Sequence, residues 1–355
     1  MDLISRYKRL RSEAYLKETY TGPYAFVGLG GHSLANLYPV IHYLQIPLKY
    51  ICVTSAEKAK LIGKKFPGVQ AVTDLGIVLA DPEVKGVFVA ASPKAHFSIA
   101  KKVLESGKAL FVEKPPCSDS AELEQLVALN KGVAVAGLQK RYAPAVKILK
   151  AKLAKEKLLS YDLHYCTGAY PEGDAVLDLY IHPLDLVCHL FGPAEILACS
   201  PAGKNSYVLM LKHKGVTGTL ELSTAYSWKD ACEVLKVNTG MGLYTLNQME
   251  ELTVDLRAGV LAGIPLEKTG IGKTIHRVLF AHNPFSPVLT ENQVYIQGYF
   301  DEIRSFALRV EHLAAKGSGN AATRGVLSVP TPHGADALSD LASLRPTYQL
   351  LDALR

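Results

Sequence analysis

The chain has 355 residues, 48% hydrophobic and 20% charged, with a formal net charge of +6. That length accommodates two domains with ordinary soluble cores, and the scattered Lys and Arg residues form no dense basic block of the kind that marks a nucleic-acid binder. Six cysteines without a CxxC spacing point to reduced thiols in a cytoplasmic protein and to no metal site. No apolar run reaches membrane-spanning length.

Residues 1–20 place Leu3, Tyr7, Leu10 and Ala14 at helical spacing among charges. This predicts an amphipathic N-terminal helix that packs on the domain or on a second subunit. The stretch lacks the apolar centre of a signal peptide. Tyr24–Val27 reads as a short strand that runs into Gly28-Leu29-Gly30-Gly31-His32-Ser33 and then into a helical pattern. Strand, glycine turn and helix form the context of a dinucleotide fingerprint. Gly28 permits the tight turn, and Gly30 lets the backbone approach a pyrophosphate at the helix N-terminus. Ser33 replaces the third glycine and is small enough for close packing. Pro39 predicts a kink or a disturbed helix start.

A second strand, 48–53, leads to Thr54, Ser55 and Lys58. The acidic residue that bonds the ribose hydroxyls in NAD-binding versions is absent before Glu57. Two hydroxyls and a lysine suit a 2′-phosphate, which favours NADP; as ordinary loop and cap residues they leave NAD open. Further strands are expected near 69–72, 84–90 and 109–111, with helices between them. The run 86–91 is apolar on both faces, as a central parallel strand should be. Ser92-Pro93 follows that run, and Glu113-Lys114-Pro115 follows the next strand. Alternating strands and helices predict a doubly wound parallel sheet, in which ligands bind beyond the carboxyl ends of the strands. Gly30, Thr54, Ser92 and Lys114 all fall at such ends. Lys114, held between a carboxylate and a proline, is a candidate for proton transfer.

A last strand at 133–136 closes this half. The second half changes character: strands at 158–166, 195–199, 206–213, 217–224, 232–238 and 243–248 follow without helices between most of them, which predicts a largely antiparallel open sheet. Residues 257–290 read as loops or an insertion. Helices are expected at 144–155, 178–191, 294–312 and 338–354, with a loop at 316–325. The predicted organisation is an N-terminal extension (1–20), a dinucleotide-binding domain (21–140) and an α/β domain for substrate binding and oligomerisation (141–355).

Within 178–191, Asp178, His182 and Asp185 fall at i, i+4 and i+7. A histidine beside a carboxylate one turn away is a general acid/base arrangement, although a buried structural His–Asp pair has the same pattern. A stripe of Asp178, His182 and His189 gives too few ligands for a metal. His164 and Tyr170 are candidates to face a substrate, with core or loop roles as the alternative. Trp228 reads as core, interface or pocket wall.

The motifs Gly28-Leu29-Gly30-Gly31, Ser92-Pro93 with His96, Gly107, Glu113-Lys114-Pro115, Gln139-x-Arg141-Tyr142-x-Pro144 and Asp178-x3-His182-x2-Asp185 occur in that order. Together they resemble the Gfo/Idh/MocA oxidoreductases over residues 21 to 200. The resemblance implies a Rossmann domain and a C-terminal α/β domain whose open sheet often forms the subunit interface, here a homodimer or homotetramer. It implies hydride transfer between NAD(P) and a sugar, polyol or similar compound. Lys114 would bond the reacting hydroxyl, His182 would act as acid/base, and Asp178 would orient His182 or bind a substrate hydroxyl. Gly28, Gly30, Gly31, Ser33, Ser92, Pro93 and Glu113 would line the cofactor; Arg141, Tyr142, Asp185 and His164 would reach toward substrate. The alternatives are an enzyme that uses tightly held NAD transiently in glycoside cleavage, and an NADP-binding regulator or sensor.

Overall fold

The computed structural model describes residues 2–270, 272–283, 292–318 and 339–355. The chain divides into two compact units, one of Met1–Gly137 with Phe300–Ala342, the other of Leu138–Tyr299 with Ser343–Arg355.

In the first unit, six parallel strands form a sheet of order β3-β2-β1-β4-β5-β6. They are β1 (Tyr24–Val27), β2 (Leu48–Cys52), β3 (Gln70–Val72), β4 (Gly86–Val89), β5 (Ala109–Glu113) and β6 (Ala134–Gly137). The apolar strands β1, β4, β5 and β6 are buried throughout, while edge strand β3 is partly exposed. That is the burial expected of a parallel sheet covered on both faces. The helices are α1 (Leu3–Lys17), α2 (Tyr38–Tyr43), α3 (Ala56–Lys65), α4 (Leu75–Ala80), α5 (Pro93–Glu105) and α6 (Ser120–Leu129). Side chains of Ser55, Asp74 and Asp119 cap α3, α4 and α6 by accepting from backbone N–H groups. Ahead of α2, Ser33–Leu37 forms a π-helical turn, the disturbed helix start expected from Pro39.

Four fully buried phenylalanine rings, with Tyr24 beside them, organise this core. Phe88 of β4 lies 5.1 Å from Phe306, 5.5 Å from Phe111 and 6.1 Å from Phe26. Phe306 belongs to a long helix, Tyr299–Ser318, which therefore packs with the first unit. The expected boundary at 140/141 assigned this helix to the second half; the aromatic contacts explain the difference. Bidentate pairing of Arg304 with Glu18 ties the same helix to the segment after α1. Leu3, Tyr7 and Leu10 of α1 are exposed in the single chain, so they do not pack on the domain.

In the second unit, eight strands form a sheet of order β16-β13-β12-β11-β7-β10-β9-β8. They are β7 (Leu158–Cys166), β8 (Ala194–Gly203), β9 (Ser206–His213), β10 (Thr217–Ser223), β11 (Cys232–Thr239), β12 (Gly242–Asn247), β13 (Glu251–Leu256) and β16 (Ile275–Ala281); Val260–Leu261 (β14) and Ile264–Pro265 (β15) pair separately. Only β7 and β10 pair in parallel. β13 and β16 lie within the stretches left unassigned or read as loops. Helices α7 (Pro144–Leu153), α8 (Ala175–Asp178), α9 (Ile181–Phe191) and α10 (Gln293–Ile296) complete the unit with α12 (Arg345–Leu354), α11 being Tyr299–Ser318. Tyr161 of β7 stacks on Phe191 of α9 at 4.4 Å, which places the helix on the apolar face of the sheet. The other face leaves Val208, Met210, Leu243 and Val278 exposed.

Three helix expectations change in detail. The helix expected over 294–312 is two, because Gly298 has φ +99 and a Cβ there would lie 1.9 Å from the Gln139 carbonyl oxygen. The helix expected over 178–191 breaks at Leu179 and Tyr180 into α8 and α9. The C-terminal helix begins at Arg345 after a 3₁₀ turn, Leu341–Leu344. Within the loop expected over 316–325, the helix runs on to Ser318, and 319–325, like Leu338, lie outside the described residues.

Candidate functional site

The strand register of the first unit sets where its loops emerge. Val27 pairs with Cys52 and with Val89, and Val89 pairs with Val112. The residues that follow, Gly28, Thr54, Ser92 and Lys114, therefore leave the sheet along one edge. The strand order reverses between β1 and β4, the switch point at which open α/β sheets bind ligands. Gly28 has φ +85, and a Cβ on it would stand 2.5 Å from the Ala90 carbonyl oxygen, so only glycine fits this turn. Gly30 and Gly31 are exposed, and a Cβ on either would meet nothing within 4 Å. This leaves an open backbone cradle at the start of the helix, which fits an approaching pyrophosphate. Ser33 is buried at 2% exposure, the small packing residue that its place in the pattern requires.

At the end of β2, Thr54 and Lys58 are exposed, and the Ser55 hydroxyl accepts from the Lys58 backbone N–H at 3.4 Å. Ser55 thus already serves as a helix cap. Ser92 and Pro93 are exposed at the start of α5.

Glu113 is buried and Lys114 half-buried, and the Lys114–Pro115 peptide is cis. Two histidines brace this corner. His32 Nε2 lies 3.3 Å from Glu113 Oε1. His96 sits between two carbonyl oxygens, Pro115 O at 2.8 Å from Nδ1 and Ala91 O at 3.0 Å from Nε2. Burial pulls the His96 imidazole down, while the Pro115 carbonyl and the Glu113 carboxylate oppose that shift. The ring ties the end of β4 to the residue after Lys114. Gly137 completes the corner, since a Cβ there would stand 2.9 Å from Glu113 Cδ.

In the second unit, Asp178 ends α8 and His182 lies in the first turn of α9, both buried. The Tyr170 hydroxyl donates to Asp178 Oδ2 at 3.1 Å. Burial, and then Asp178, push the Tyr170 phenol up to about 12, so it stays a donor at neutral pH. Gly173 lies close to this carboxylate: a Cβ there would be 2.3 Å from Asp178 Oδ2 and would displace it. Leu179 and Tyr180 separate α8, which ends at Asp178, from α9, which carries His182 and His189. His189 lies 3.3 Å from Lys150 Nζ.

Arg141 and Asp185 pair with each other. Asp185 accepts from Arg141 Nε at 2.7 Å and from Arg141 NH2, and Thr347 Oγ1 donates to it at 2.9 Å. Arg141 NH1 also donates to Ser343 Oγ at 2.8 Å. Both charged groups are almost fully buried. Burial opposes the Arg141 charge, but Asp185 outweighs it and raises the guanidinium. The pair joins the 3₁₀ turn Gln139–Tyr142 to α9 and α12 rather than presenting charge to solvent. Tyr142 is buried as well. His164, on β7, hydrogen-bonds Glu221 at 2.9 Å and Asp162 at 2.6 Å. Burial alone would lower its imidazole; the two carboxylates together push it up. Sequence reasoning missed Lys140, which is buried against Glu233 at 2.5 Å and lies 5.0 Å over the Tyr165 ring. Its position inside the Gln-Lys-Arg-Tyr motif was the available signal.

Residues 23–137 match the model of the GFO_IDH_MocA oxidoreductase family, NAD-binding Rossmann fold. The chain is 26% identical over 250 residues to YceM of Salmonella typhimurium, which is named as an oxidoreductase; the match covers 66% of this chain and 79% of the relative. The chain thus resembles the Gfo/Idh/MocA oxidoreductases, with residues 23–137 matching their NAD-binding Rossmann fold. Inositol 2-dehydrogenase of Rhodococcus jostii is 28% identical over 146 residues, a match covering 38% of this chain and 40% of that relative. A dehydrogenase from Chromobacterium violaceum superposes with a TM-score of 0.72 at 18% identity, over 94% of both chains, a likeness in fold. Among the described residues no cluster of His, Cys, Asp and Glu has metal-binding geometry, and no helix is long and apolar enough to cross a membrane.

Proposed function

We propose that the protein is an NAD(P)-dependent oxidoreductase that transfers a hydride between the nicotinamide and a hydroxyl-bearing carbon of a sugar, polyol or related compound. The observation that carries this reading is the alignment of Gly28, Gly30, Thr54, Ser92 and Lys114 along one edge of the parallel sheet, beside an open glycine cradle. Dehydrogenases of sugars and polyols among the relatives support the substrate class. When bound, the nicotinamide supplies hydride acceptance and donation. The chain supplies the remainder. Backbone N–H groups at Gly30 and Gly31 hold the pyrophosphate. Thr54 and Lys58, with Ser55, hold the adenosine ribose or its 2′-phosphate, which favours NADP.

An alcohol cannot lose hydride until its hydroxyl proton is leaving. Lys114 and His182 are assigned that proton, Lys114 at the hydroxyl oxygen and His182 as acid/base. Tyr170 keeps Asp178 oriented for hydrogen bonding to His182 or to a substrate hydroxyl. Arg141 and Asp185 act as positioning residues that fix α9. Self-association through the open sheet face would cover Val208, Met210, Leu243 and Val278.

The test is a screen of sugars, polyols and their acids with NAD+ and NADP+, followed by nicotinamide absorbance. Lys114→Ala should retain cofactor binding and lose turnover. An active Lys114→Ala variant would remove Lys114 from the chemistry. Background turnover with every compound, in a protein that binds cofactor, would favour the sensor reading.

A further inference from the structure

Cys166 and Cys232 face each other across the sheet. Cys166 is the last residue of β7 and Cys232 the first of β11, and the two are register partners in an antiparallel pair. Directly opposed residues in such a pair have Cα atoms about 4.5–5.5 Å apart and side chains on the same face. Disulfides need Cα separations of about 4.4–6.8 Å. Both cysteines are free and partly exposed. Cys52, Cys117 and Cys188 are buried, and no other cysteine pair is in register among the described strands.

The pair lies at the base of an arch. The segments that follow Cys166 and precede Cys232 are held together above it: the Tyr226 N–H donates to Thr167 O at 2.9 Å, and Trp228 Nε1 donates to Ala169 O at 2.8 Å. Trp228 also meets the Tyr170 ring edge-on at 6.4 Å. Tyr170 in turn holds Asp178.

We propose that Cys166 and Cys232 form a reversible cross-strand disulfide under peroxide stress, clamping the base of the arch that carries Tyr170. One thiolate attacks a peroxide oxygen, the O–O bond breaks, and a sulfenic acid and water form. The second sulfur then displaces the hydroxyl as water and the S–S bond closes. Two thiols and one hydrogen peroxide thus give one disulfide and two waters, and a dithiol reductant reverses the step. Burial, Glu221 and Cys232 push the Cys166 thiol up, so the pair closes faster as pH rises. The inference stands apart from the cofactor reading, since it uses neither nicotinamide nor Lys114.

The experiment treats the folded, reduced, full-length protein with hydrogen peroxide. Free thiols are then alkylated, the protein is digested without reduction, and the peptides are mapped by mass spectrometry. The expected result is a linked peptide pair containing Cys166 and Cys232, lost on dithiothreitol treatment and absent from Cys232→Ser. Limited proteolysis between Thr167 and Tyr170 should slow in the oxidised protein and recover on reduction. Recovery of both cysteines in separate peptides, as alkylated thiols or as sulfinic acids, would overturn the proposal. Linkage to a second chain would do so too. Unchanged proteolysis with the disulfide present would overturn the clamp.

Discussion

Asp185→Ala isolates the buried ion pair. The carboxylate accepts from two nitrogens of Arg141 and from the Thr347 hydroxyl, and both side chains are almost fully buried. Deleting it leaves the Arg141 guanidinium without its counter-charge in the interior of the second unit. Removing one partner of a buried pair costs about 3–5 kcal/mol. The Thr347 hydroxyl, left without an acceptor, falls within that range. For a domain of this size about 2–4 °C accompanies each kcal/mol, so the melting temperature should fall by about 6–20 °C. Replacing both charges, as Arg141→Met with Asp185→Leu, removes the stranded charge, and most of the loss should return. Circular dichroism melts of the wild type, the single variant and the double variant measure this directly. A single variant within about 2 °C of wild type would refute the structural role of the pair. So would a double variant no more stable than Asp185→Ala.

Gly28→Ala should fold poorly or bind no nicotinamide cofactor, because its Cβ would meet the Ala90 carbonyl at 2.5 Å in a left-handed backbone; cofactor binding comparable to wild type would contradict the assigned turn. Tyr170→Phe removes a donor to a carboxylate, a bond of about 1.5–3 kcal/mol, and should lower kcat/KM by about tenfold or more; an unchanged kcat/KM would separate Asp178 orientation from the chemistry. His189 is pushed down to about 3 by burial, then by Lys150 and Arg141. Its folded value lies below the unfolded one near 6.5, so between these values the unfolded state binds more protons and stability falls as pH falls. His189→Gln should flatten that slope in urea midpoints measured from pH 7 to pH 4, and an unaltered slope would show that His189 is not its source.

Much of the first unit is legible in the sequence because its strands are short apolar runs bounded by turn residues and capped helices. The turn residues that end each run mark the carboxyl ends of the strands, and so the edge where a ligand would bind. The side-chain partners are not legible in this way. Arg141 and Asp185 lie on separate elements, and no periodicity links them, so their buried pairing is visible only in the structure. Strand β16 escapes sequence reasoning because it is an edge strand, exposed over most of its length and paired only with β13. It lacks the alternation that burial on one face imposes on β9 and β10. The long helix Tyr299–Ser318 is readable as a helix, but nothing in its pattern says that Phe306 meets Phe88 and Phe111.

The most direct measurement is a fluorescence titration of the purified protein with NADPH and with NADH. The account predicts saturable binding, tighter for NADPH through Thr54, Ser55 and Lys58, and lost in Gly28→Ala. Tighter NADH binding would overturn the phosphate assignment alone. A folded protein that binds neither nucleotide would contradict the dinucleotide site and, with it, the proposed hydride transfer.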